Sequence, residues 1–115
     1  MNSSPRFAEI KAILDKAIDG WRNRTHRNPD LSVHSGNFGW STKSALQNAT
    51  AFNLRLIDPA LVGNGHGSQT NLVVALQIGV KDGPRQYPRM PRGGPYLSDD
   101  DIQKIVVWID AGMPD

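Results

Sequence analysis

Two amphipathic stripes, one near each end of the chain, constrain the fold more than any other feature. Phe7, Ile10, Leu14, Ala17 and Trp21 recur at alternating spacings of three and four, with Ile13 and Ile18 widening the apolar face. Side chains spaced in this way share one side of an α-helix, which predicts a helix over about residues 5–22. Ser4 can cap it, and Pro5 at the first helical position sacrifices no hydrogen bond. Ile102, Ile105, Val106 and Ile109 form the second stripe and predict a helix over about residues 98–111. Ser98 suits its N-cap, Asp101 completes a capping box, and Asp99 and Asp100 suit the positive end of the helix dipole. Gly112 and Pro114 stop it.

The intervening chain reads as loops and short helices. Residues 23–41 have no periodicity and are punctuated by Asn28-Pro29-Asp30, Ser35-Gly36-Asn37 and Gly39, so a loop is expected. Leu31, Val33, Phe38 and Trp40 give it too much apolar surface for a free linker, and it is expected to wrap against the core. Ser41 or Thr42 caps a short helix over about 42–48, and Asp58-Pro59 opens a turn that ends before Gly63. After the glycine-rich stretch 63–67, Leu72, Val73 and Leu76 mark a helix over about 68–78 that ends at Gly79. A proline-rich strap follows from 83 to 97. Strand signals are nearly absent, so the 115 residues are expected to form one all-α domain. At 38% hydrophobic and 21% charged residues there is material for a core.

Several chemistries are excluded outright. The chain has no cysteine, which removes disulfides, thiolate metal sites, cysteine nucleophiles and thioether-linked cofactors. That composition suits a reducing compartment. A net charge of +2, from 13 basic and 11 acidic residues, is too small for a nucleic-acid interface. No apolar run approaches the roughly 18 residues of a membrane span. Met1 to Arg6 contain no apolar signal core, so a cytoplasmic protein is expected, or a periplasmic one if a leader has been removed.

Other motifs are weaker. His26, His34 and His66 all fall in expected loops without local ligand spacing, and no metal site is predicted from them. The turn at 63–67 lacks a Walker lysine and a preceding strand, so it reads as structural rather than phosphate-binding. A serine, histidine and aspartate triad has no Gly-x-Ser-x-Gly elbow to support it. Arg85, Arg89 and Arg92 cluster with Tyr87 and Tyr96, a combination suited to a carboxylate, a phosphate or an acidic partner.

The stretch Arg89-Met90-Pro91-Arg92-Gly93-Gly94-Pro95-Tyr96-Leu97-Ser98-Asp99-Asp100-Asp101-Ile102, continuing to Trp108-Ile109-Asp110-Ala111-Gly112, resembles the C-terminal signature of bacterial class I c-type cytochromes. In that family the methionine of an Arg-Met-Pro strap is the distal haem ligand, and the helix after it crosses an N-terminal helix. The resemblance covers about 24 residues, and it implies a cytochrome c-like fold with two or three shorter helices between the crossing pair. The family's Cys-x-x-Cys-His attachment motif is missing. Arg22-Asn23-Arg24-Thr25-His26 stands in its place, with His26 where the proximal ligand belongs and Arg22 and Thr25 where the cysteines belong. A second register, Asp30 to Val33 before His34, is no better. Covalent haem c is therefore excluded.

The resemblance implies two uses of the haem space. Haem binds non-covalently between Met90 and His26 or His34, giving an electron-transfer protein. Alternatively the space is filled by side chains, with Phe38, Trp40, Phe52 and Tyr87 available, because an empty apolar pocket of that size is costly. The expectation is the second: a haem-free accessory protein with no cofactor, contacting a protein partner or small ligand. Its surface is expected at Phe38, Trp40, Arg85, Tyr87, Arg89, Arg92 and Tyr96, since aromatics and arginine dominate interface energetics. An enzyme reusing the cleft, with a histidine as acid/base beside Asp30 or Asp58, ranks last.

Overall fold

Helix α1 runs Phe7–Thr25, starting two residues later and ending three residues later than its stripe predicts. The structure, a computed structural model, describes residues 5–26, 39–51, 54–91 and 93–115. Ser4, Phe52 and most of the expected 23–41 loop, including His34 and Phe38, lie outside them, as does Arg92. The N-cap of α1 is Arg6, which makes no side-chain cap, and Pro5 precedes the helix instead of opening it. A tertiary bond replaces the local cap. The Phe7 amide donates to the Pro114 carbonyl at 3.1 Å, joining the two ends of the described chain. Ile10, Ile13 and Leu14 are buried, and Phe7 and Ala17 pack against the same core.

Helix α4, Asp99–Asp110, matches its expected bounds within one residue. The Ser98 hydroxyl accepts from the Asp101 amide at 3.2 Å, as the capping pattern requires. Its other end forms a Schellman arrangement: Gly112 donates to Ile109 O at 3.0 Å and Met113 to Trp108 O at 2.9 Å. Gly112 has φ 91°, and Met113, also at positive φ, is buried beneath the turn. The buried face of α4 includes Trp108 between Ile105 and Ile109, and it packs against α1 and against the helix of residues 71–77.

The short helices are capped by threonines. Thr42 accepts from Ala45 N and starts α2, Lys43–Gln47. The expected 68–78 helix is broken in two. A 3₁₀ turn covers Gly67–Gln69, and α3 is Asn71–Gln77. Thr70 causes the break. It is extended, with its hydroxyl donating back to Gly67 O at 2.8 Å and accepting from Val73 N. Leu72, Val73 and Leu76 are buried as their spacing predicts.

The all-α expectation needs a correction, for the domain is mostly helical but carries two small hairpins. β1, Thr50–Ala51, pairs antiparallel with β2, Leu54–Arg55. β3, Val80–Asp82, pairs with β4, Arg85–Tyr87, so the first part of the expected strap is a strand. Gly83 at φ 60° followed by Pro84 makes the two-residue turn between them. The remaining strap, 88–97, contains cis peptide bonds before Pro91 and Pro95.

Candidate functional site

The strap is held from two sides. On one, the Met90 amide donates to Ala75 O at 2.8 Å, and Arg89 Nε donates to Leu76 O at 2.9 Å. On the other, Arg24 Nε donates to Gly94 O at 2.7 Å. Pro95 crosses α1 at Gly20, where a Cβ would lie only 3.0 Å from the proline ring. These contacts turn a proline-rich segment into a rigid ledge between α3 and α1.

Met90 is partly buried and packs its side chain against the hydrophobic core. His26 is the C-cap of α1. It ends α1 in a left-handed conformation, exposed, its amide donating to Arg22 O at 2.8 Å. Arg22 and Thr25, where the attachment cysteines would stand, belong to the last turn of α1, and Thr25 Oγ1 donates to Trp21 O. The other described histidine, His66, is exposed beside Gln69. Among the described residues no group of three histidine or acidic side chains could hold a metal.

The glycine-rich turn 63–67 spends its amides internally. Gly63 donates to Ile109 O at 3.0 Å and Gly67 to the Asp110 carboxylate at 2.8 Å, so both amides serve to dock the turn on α4. Asp58, a candidate partner for an acid/base histidine, instead caps the 3₁₀ turn Pro59–Leu61 by accepting from Ala60 N. Asp30 lies outside the described residues.

Of the expected contact surface, the structure joins Arg89 and Tyr96. The Arg89 guanidinium carbon lies 4.3 Å from the Tyr96 ring centroid, within cation–π range. Tyr96 is 47% exposed. Tyr87 is half-buried in β4, and Arg85 heads that strand. Ile78, which the sequence reading passed over, is 77% exposed at the end of α3. Two residues past Leu76, it falls off the face that carries Leu72 and Leu76, at the C-cap of α3.

Comparison with protein-family models, with curated proteins and with solved structures finds no match. Function must therefore be argued from the residues alone. No helix among the described residues is long and apolar enough to cross a membrane.

Trp40 is partly buried and packs against the core. Its indole N–H donates to Asp15 Oδ1 at 2.9 Å, and Lys11 Nζ approaches Asp15 Oδ2 at 2.7 Å. Together with Ile18, Asp19 and Arg22 they line an open groove of about 430 Å³ on α1. Asp15 is held below the ordinary carboxylate range, first by the Lys11 hydrogen bond and then by the indole. Its folded pKa is depressed, so its contribution is present above the unfolded pKa and is lost as pH falls through the folded one. Resistance to urea should therefore begin to drop as pH falls below the ordinary carboxylate range, with the Trp40 indole resonance moving as Asp15 takes up its proton. Asp15→Asn should remove this residue's share of the drop. That share is under about 1 kcal/mol for so exposed a pair. An unchanged profile in Asp15→Asn would show that the contact contributes nothing.

Proposed function

We propose that this chain is a haem-free relative of the bacterial class I cytochromes c, working in the cytoplasm as an accessory or binding protein. The reading takes the methionine strap as inherited and the haem as replaced by side-chain packing. One observation carries it: Met90, the residue the resemblance makes a haem ligand, lies against the core, its amide bonded to α3. The contact between α1 and α4 is in keeping with that ancestry, as is a helix that begins two residues after Leu97 with a serine cap. A fold with its cofactor replaced by packing retains a rigid frame, and the strap with its arginine and tyrosine becomes a surface for a partner.

The test is an absorption spectrum of the purified protein, repeated after haemin has been added and the excess removed. A colourless protein that stays colourless is the expected result. A sharp Soret band that weakens in Met90→Ala and in His26→Ala or His34→Ala would overturn the proposal. It would make the chain a non-covalent haem protein with His/Met ligation.

A further inference from the structure

We infer that Arg89, stacked on Tyr96 beside Ile78, anchors a carboxylate of an acidic, apolar segment of a partner protein. The inference names the partner for the binding-protein reading above and rests on it only in that respect. Three observations combine. First, Arg89 is positioned before any partner arrives: its Nε is bonded to Leu76 O and its guanidinium lies over the Tyr96 ring. A long side chain fixed in this way has less rotamer freedom left to lose on binding. Secondly, among the described residues the guanidinium bonds through Nε and stacks by its face, which leaves the two terminal nitrogens of the fork for another acceptor. A planar fork with both terminal nitrogens available matches a carboxylate bidentately.

Thirdly, an apolar contact adjoins the fork. In the chain, Ile78 lies between Leu76, whose carbonyl takes the Arg89 bond, and Gly79, where an added Cβ would come within 3.0 Å of the Pro88 carbonyl carbon and the Arg89 amide nitrogen. An isoleucine left 77% exposed next to a rigid arginine–tyrosine stack offers apolar burial alongside the ion pair. Charge sets the direction of the bound segment. Lys81, exposed in β3, follows Ile78 by three residues in the chain, whereas Asp99 and Asp100 open α4 three and four residues beyond Tyr96. An acidic segment is drawn toward Ile78 and Lys81 and kept off the start of α4. A free phosphate could meet the fork but would gain nothing from Ile78, so a protein segment is the occupant that uses the whole patch.

The experiment follows amide and side-chain NMR signals of the full chain during addition of a capped hexapeptide alternating leucine and glutamate. The same titration is run with its leucine–lysine counterpart and with inorganic phosphate. Saturable shifts at Ile78, Tyr96 and Arg89 Nε are expected with the acidic peptide only. Arg89→Gln should weaken binding at least about tenfold, Arg89→Lys severalfold by losing the fork, and Ile78→Ser severalfold without loss of stability. Each variant is first checked for an unchanged far-UV spectrum and unfolding midpoint. Three results would overturn the inference: no saturable shift with the acidic peptide, equal binding by the lysine peptide, or undiminished binding in a folded Arg89→Gln or Arg89→Lys protein. Phosphate binding as tightly as the peptide would also overturn it, by reducing the patch to a simple anion site. The haemin experiment fails or succeeds separately, because it reads Met90 and not Arg89.

Discussion

Trp108→Ala is expected to lower the free energy of unfolding by about 3–5 kcal/mol, close to half the stability of a typical small domain. Trp108 is fully buried in α4, and its ring centroid lies 6.1 Å from that of Phe7 on α1 in a tilted arrangement. Its indole N–H donates to Pro114 O at 2.8 Å, and the same carbonyl accepts from the Phe7 amide. Truncation would leave a cavity, remove an aromatic pair, and loosen the tail from α4 in one step. Trp108→Phe separates these effects. It retains most of the volume and leaves the Phe7 amide on Pro114 O, so a loss of about 1–2 kcal/mol is expected. Urea unfolding followed by circular dichroism measures both. A loss below about 1 kcal/mol for Trp108→Ala would mean that α1 and α4 do not share a packed core.

Gly79→Ala is expected to cost about 3 kcal/mol, combining a left-handed backbone with a steric collision. Gly79 has φ 97°, and an added Cβ would run into the Tyr87 carbonyl oxygen while lying 3.0 Å from Arg89 N. Neither neighbour is the tip of a flexible side chain, so the β3–β4 hairpin must shift away from α3. Gly65 supplies the control. It has φ 80° but nothing near its missing Cβ, so Gly65→Ala should cost only the conformational part, about 1–2 kcal/mol. Equal losses at the two sites would argue that the hairpin does not abut Gly79. Because the displaced backbone leads directly to Arg89, Gly79→Ala should also weaken the acidic peptide described above.

The elements set by local patterns were legible and those set by distant contacts were not. Ser98 followed by three aspartates and an isoleucine stripe marks α4 because cap, dipole and apolar face all lie within a dozen residues. The core positions of α1 follow for the same reason. Its start does not, since the bond replacing its cap comes from Pro114, at the far end of the sequence. Thr70 could have been read as a second N-cap before Leu72, which would have divided the 68–78 helix correctly. Gly83-Pro84 between short flanking runs was a hairpin signal hidden by the density of prolines around it. At the candidate site, composition drew attention to Arg89 and Tyr96, but their stacking is tertiary. Ile78 stands off the Leu72–Leu76 face, which its spacing already shows, whereas Asp15 meets Trp40 across 25 residues of chain.

The carbonyl of Pro114 has a consequence for the order in which this molecule can assemble. It accepts from the first helical amide and from the central tryptophan of the last helix, so the principal helix pair closes only when nearly the whole chain is present. Contacts between such widely separated segments are entropically late and slow to form. During synthesis, at roughly 5–20 residues per second, α1 would be exposed for on the order of several seconds before α4 emerges to cover Ile10 and Leu14. A nascent chain stalled before Asp99 should thus remain protease-sensitive throughout, α1 included, and become resistant only once Pro114 has cleared the ribosome.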